Sequence, residues 1–168
     1  MMKRIAIVYY SRTGHTRNAA NIIREGLMDN GIEADLREIE VEGKVGFRRI
    51  GKMSTVNDVP LLNQDYDLSE YDLVIIGSPI WAGGTAMPCL AYLDRVENRD
   101  QKTIALFMTG GMRGMDNNKK AMENMGKKLS DMGYIDPVST LNLRYRRGKM
   151  IEGEEAIPGF LQAIVGSG

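Results

Sequence analysis

Strand-like and helix-like segments alternate along this chain, and the alternation predicts an α/β fold: a three-layer sandwich with a five-stranded parallel sheet of order 2-1-3-4-5 and helices on both faces. Three observations carry that prediction. Short apolar runs of β-formers recur, each of the kind buried on both faces of a parallel sheet. Stretches with apolar residues at helical spacing separate them. Two further strands alternate apolar and charged residues, which suits the outer positions of the sheet.

The elements follow in order. Lys3 to Tyr10 forms the first buried strand, and Thr16 to Asn30 the first helix, with Ala20, Ile23 and Leu27 on one side. Asn30-Gly31 is a helix stop. Ile32, Ala34 and Leu36 then alternate with Glu33, Asp35 and Arg37 as a half-exposed second strand. The third strand spans Asp72 to Gly77, and Met87-Pro88 opens a helix that continues through Leu90 and Leu93. Thr103 to Met108 is the fourth strand. A helix over Asn117 to Met132 carries Met122, Met125, Leu129 and Met132 as a stripe closed by Gly133. Ile135 to Leu143, with Pro137 near its start, reads as the edge strand, and Pro158 to Val165 as a last helix. One domain over 1–165 is expected, with 166–168 a frayed tail. Glu40 to Asp67 is the least legible stretch.

Composition narrows the function. The chain has 168 residues, 43% of them apolar, with 22 basic and 22 acidic side chains. That balance gives no support to a nucleic-acid binder. No apolar run approaches the roughly 20 residues that span a bilayer, so a cytoplasmic protein without membrane attachment is expected. With one cysteine, Cys89, and one histidine, His15, neither an internal disulfide nor a Cys/His metal site is supplied. Cys89 reads as a small buried apolar residue.

The most informative stretch is Ser11-Arg12-Thr13-Gly14-His15-Thr16, between the first strand and the first helix. Three hydroxyls and a glycine precede a helix start, where free amides and the helix dipole favour an anion. Such a turn holds a phosphate dianion with little need for lysine. An ordinary threonine helix cap is the plainer reading of the same residues. His15 reads as a solvent-facing loop residue and not as a catalytic base.

At Ser11, Thr13, Gly14 and Thr16 the chain resembles the flavodoxin family, whose phosphate loop has the pattern Ser/Thr-x-Thr-Gly-x-Thr. That resemblance implies bound FMN, with the loop 11–16 on its phosphate and two later loops on its ring. The first of these carries Pro79, Ile80, Trp81, Ala82, Gly83 and Gly84, and the second Thr109, Gly110, Gly111 and Met112. Trp81, the sole tryptophan, is placed to stack on the ring, or else to seal an edge of the core. The resemblance also implies that the Gly83 peptide turns its carbonyl towards ring N5 on one-electron reduction, with Ala82 and Gly84 as alternatives and a plain glycine turn as the other reading. The second loop lacks the aromatic that the family often places there; Met112 and Met115 are its only sizeable apolar residues. That leaves one ring face accessible.

The implied function is redox chemistry on FMN. Two forms compete: electron transfer to a redox partner protein, or NAD(P)H-dependent reduction of a quinone or similar acceptor. Carriers of this family are usually strongly acidic, whereas this chain is neutral, which tilts the expectation towards a reductase. A homodimer is compatible with either. The alternative is a flavin-free interaction module on the same fold. Gly46 to Met53 nearly matches a nucleotide P-loop but lacks the magnesium-binding hydroxyl, since Met53 stands there. Arg144, Arg146, Arg147 and Lys149, with Tyr145, read as a solvated basic loop, with a grip on a nicotinamide nucleotide's phosphate as the sharper possibility.

Overall fold

The computed structural model describes residues 3–43, 56–62, 65–111 and 114–167. The near P-loop at 46–53 and Met112 lie outside those residues. Strand β1 (Ile5–Tyr9) is buried throughout and pairs in parallel with β2 (Ala34–Glu38) on one side and β3 (Leu73–Trp81) on the other. Beyond β3, strand β5 (Thr103–Gly110) and then β6 (Thr140–Arg146) continue the parallel ladder. These five strands keep the expected order.

The sheet is nevertheless larger and mixed: among the described residues it has seven strands, with β7 (Lys149–Glu152) beyond β6 and the short β4 (Gly84–Thr85) paired to β3. Both additions are antiparallel returns. Strand β4 (Gly84–Thr85) folds back on β3 after Ala82 (φ 48°) and Gly83 (φ 77°). Strand β7 (Lys149–Glu152) folds back on β6 after Arg147 (φ 51°) and Gly148 (φ 79°). Two successive positive φ angles match the right-handed twist of the flanking strands, which is why two residues suffice for each turn. The sheet is thus not the all-parallel five-stranded one expected.

The last parallel strand also begins later than Ile135. Ile135 and Val138 are exposed, at 44% and 40%, and β6 starts at Thr140. From there Leu141, Leu143 and Tyr145 alternate inward.

Helices α1 (His15–Asp29) and α4 (Ile157–Gly166) cover one face of the sheet, and α2 (Met87–Arg95) and α3 (Met115–Asp131) cover the other. Successive residues of a strand point to opposite faces, so β1 feeds both layers. Ile5 and Ile7 pack with Ile23, Leu27 and Phe160, whereas Ala6 and Val8 pack with Leu93, Met125 and Leu129. Cys89 lies fully buried in the α2 layer, and burial pushes its thiol up to about 12. It is a packing residue, as its isolation in the sequence suggested. The tail expected to fray is helical through Gly166, and Lys3 Nζ donates to Ile164 O at 2.8 Å and to Ser167 Oγ at 3.0 Å. Among the described residues no helix is long and apolar enough to cross a membrane.

Candidate functional site

Parallel pairing brings three strand ends together. Tyr9 pairs with Gly77, and Pro79 with Thr109, so the segments that follow β1, β3 and β5 emerge at one end of the sheet. That end, at the switch between β1 and β3, is where doubly wound α/β sheets hold ligands.

The loop after β1 is organised by Ser11. Its Oγ accepts the amides of Gly14 and Arg17, both at 3.2 Å, and so closes the turn upon itself. Gly14 makes the turn possible through backbone angles alone: its φ is +95°, and no atom stands within 4 Å of where a Cβ would lie. The first helical bond runs from Asn18 N to Gly14 O at 2.9 Å. The His15 and Thr16 amides therefore lie ahead of the helical ladder, pointing out of the helix start. Thr13 is exposed beside them. Hydroxyls and free amides without a carboxylate suit a phosphate dianion. Arg17 is engaged elsewhere, its guanidinium clamping both oxygens of Glu38 at 2.5 and 3.1 Å.

Thr16 has a second task. Its side chain is buried, and its Oγ1 lies 2.8 Å from Oγ1 of Thr109, also buried. One hydroxyl donates to the other, and the bond ties the loop after β1 to the end of β5. Gly110 follows Thr109 in a tight slot: a Cβ there would stand 2.7 Å from Asn118 Oδ1 and 2.9 Å from Ile80, so those side chains would have to shift. Asn118, nearly fully buried on α3, donates to Leu143 O at 3.1 Å. Gly111 has the backbone oxygen of Tyr145 3.0 Å from its missing Cβ.

His15 is not the solvent-facing residue expected. It is half-buried and stacks on Tyr145, with ring centroids 4.9 Å apart and planes 13° from parallel. The Tyr145 hydroxyl donates to Asn18 Oδ1 at 2.8 Å, and burial pushes that phenol up to about 12. Tyr145 thus braces the start of α1 from β6. The sequence hides this, because Tyr145 sits among arginines that read as a solvated loop.

The segment after β3 is a strand extension and tight hairpin where a loop was expected. Pro79, Ile80 and Trp81 belong to β3, and Ala82 and Gly83 form the exposed turn. Ser78, fully buried, accepts the Ala86 amide at 3.0 Å and anchors the far side of the hairpin. Trp81 is half-buried and meets Tyr10 edge-on, with centroids 5.4 Å apart. It also packs on Val59 and Ala91, which brings part of the illegible 40–67 segment to the site. The Gly83 carbonyl is met by Asn124 Nδ2 of α3 at 3.5 Å. Burial raises the Tyr10 phenol above its ordinary range, so it stays a neutral partner to the indole.

No family model matches the chain. Curated relatives do. The chain is 27% identical over 93 residues to an NAD(P)H dehydrogenase (quinone) of Caulobacter vibrioides, covering 55% of this chain and 46% of that protein. It is 26% identical over 119 residues to the protein of the same name from Paraburkholderia phymatum, covering 67% and 53%. The chain spans about half the length of the curated relatives it matches. Among solved structures, a flavoprotein from Lactobacillus acidophilus in complex with FMN superposes with a TM-score of 0.64 at 23% identity, covering 94% of this chain and 98% of that one. Oxidised flavodoxin 2 from Bacillus cereus gives 0.63 at 22%, covering 96% and 97%. The chain has the flavodoxin-like fold.

Proposed function

We propose that this chain binds FMN at the end of the sheet where β1, β3 and β5 finish, and works as an NAD(P)H-dependent reductase of a quinone or similar acceptor. The observation that carries the reading is the 11–16 turn. Its Ser11 oxygen orders the loop, and two amides ahead of the helical ladder point outward. The relatives named NAD(P)H dehydrogenase (quinone) and the FMN complex of the Lactobacillus flavoprotein support it. When bound, FMN supplies a ring that accepts a hydride from a reduced nicotinamide and passes two electrons, with protons, to the acceptor.

The protein's part is grip and orientation. Ser11, Thr13 and the amides of His15 and Thr16 hold the phosphate. Thr109, Gly110 and Gly111 line one edge of the ring site, fixed through Thr16 and Asn118. Trp81 offers its indole from the β3 side, held by Tyr10. A two-residue hairpin turn at Ala82-Gly83 returns the chain to β4 and presents the Gly83 peptide beside Trp81.

The test is a visible spectrum of the purified protein after desalting, then anaerobic addition of NADH or NADPH. Retained flavin bands that bleach with reduced nicotinamide and recover on adding a quinone are expected. A preparation that stays colourless in excess FMN contradicts the reading. Flavin that is retained but not reduced by either nucleotide points to an electron carrier.

A further inference from the structure

The β6–β7 hairpin carries an arrangement that works against its own stability. Arg146 and Lys149 are directly paired across the ladder, and like charges at such positions destabilise an antiparallel pair. Arg147, in the turn between them, holds φ at 51°, a region where asparagine or glycine is the usual occupant. All three are exposed, and among the described residues none has an acidic partner; the nearby Glu152 is taken by Arg144 at 2.9 Å. Packing does not explain them either, because Tyr145 and Met150 bury the inward side of this hairpin.

Position supplies the explanation. Arg144 is level with Gly110 in the ladder, so the three cations stand beyond the end of β5, next to the segment 109–111. Tyr145, stacked on His15 and bonded to Asn18, fixes the same hairpin against the 11–16 turn. We infer that Arg146, Arg147 and Lys149 bind the ribose 2′-phosphate of NADPH and make it the preferred donor over NADH. This rests on the reductase reading above. Three cations within four residues, displayed on a two-residue turn, match one compact dianion, and two guanidinium forks add directional bonds to its oxygens. An extended acidic protein surface would call for charge spread along the strand.

The experiment titrates the protein as purified with 2′,5′-ADP and with 5′-ADP by calorimetry, at low and moderate salt. Tighter binding of 2′,5′-ADP by about tenfold or more is expected, weakening with salt. The paired substitution Arg146→Gln with Lys149→Gln removes that preference and lowers kcat/KM for NADPH by about tenfold, with NADH unaffected. Arg147→Gly is the second variant. It suits the turn, so it raises Tm while reducing the 2′-phosphate preference, a combination that a purely structural arginine does not give. Equal affinity for the two nucleotides, or a preference that survives both variants, overturns the inference. So does loss of binding to an acidic protein partner in the same variants without any nucleotide effect. Lack of bound flavin strikes the FMN reading instead, and leaves the nucleotide titration readable.

Discussion

Thr16 and Thr109 share a buried hydrogen bond of 2.8 Å that joins the start of α1 to the end of β5. The bond couples the segment proposed to hold a phosphate to the one proposed to line a flavin ring, across 93 positions of sequence. Neither hydroxyl has ready access to water, so each depends on the other.

Replacing either threonine by valine therefore strands a buried hydroxyl. Thr16→Val or Thr109→Val is expected to lose about 1–3 kcal/mol in urea unfolding. The double variant is expected to lose less than the sum of the two, because no orphaned group remains. FMN retention falls in all three. Strict additivity in the cycle would show that the two hydroxyls do not interact.

Gly14 tests the turn separately from its contacts. Its site has room for a methyl group, so Gly14→Ala isolates the backbone preference at φ +95°. A loss of about 1–2 kcal/mol is expected. Gly14→Asn should lose less, since asparagine tolerates left-handed angles. Equal losses for the two would mean that the angle does not set the residue there.

Cys89 gives a prediction about pH. Its folded thiol is raised from 9.0 to about 12 by complete burial. A raised value means that the folded state keeps its proton where the unfolded chain has lost it. The stabilising contribution is thus whole below pH 9 and drains away as pH climbs from 9 towards 12. Cys89→Ala should flatten that part of the stability profile, although its smaller volume lowers Tm at neutral pH. In the native wild type a thiol reagent at pH 8 should label only at the rate of unfolding; fast labelling would show that the thiol is accessible.

The parts of this molecule that were legible in sequence are those built from long apolar runs and spaced hydroxyls. Residues 73–76 and 104–108 could only be buried strands, and Ser11, Thr13, Gly14 and Thr16 marked a turn with free amides. The two return strands have no local sequence signal. Their turns are Ala82-Gly83 and Arg147-Gly148, and the first residue of each adopts a positive φ that its side chain does not advertise. The fifth parallel strand begins later than its apolar residues suggest, because Ile135 and Val138 are exposed, and it is not the edge, since β7 lies beyond it. The braces of the site, Tyr145 on His15 and Asn118 on Leu143, connect residues far apart in sequence, and no local pattern encodes such pairs.

Trp81 decides between two uses of one aromatic. It meets Tyr10 edge-on and packs on Val59 and Ala91, which would suffice for a residue that seals the core. It also remains half-exposed at the end of β3, where its indole face can meet a flat ring. As the sole tryptophan it reports on itself. If a flavin ring lies against it, adding FMN to flavin-free protein quenches its emission in step with binding. Trp81→Phe then keeps most of the stability, because the core contact is retained, but weakens FMN binding by about tenfold through lost stacking area. Binding of FMN with full tryptophan emission would assign Trp81 to the core alone and place the ring against the β5 segment.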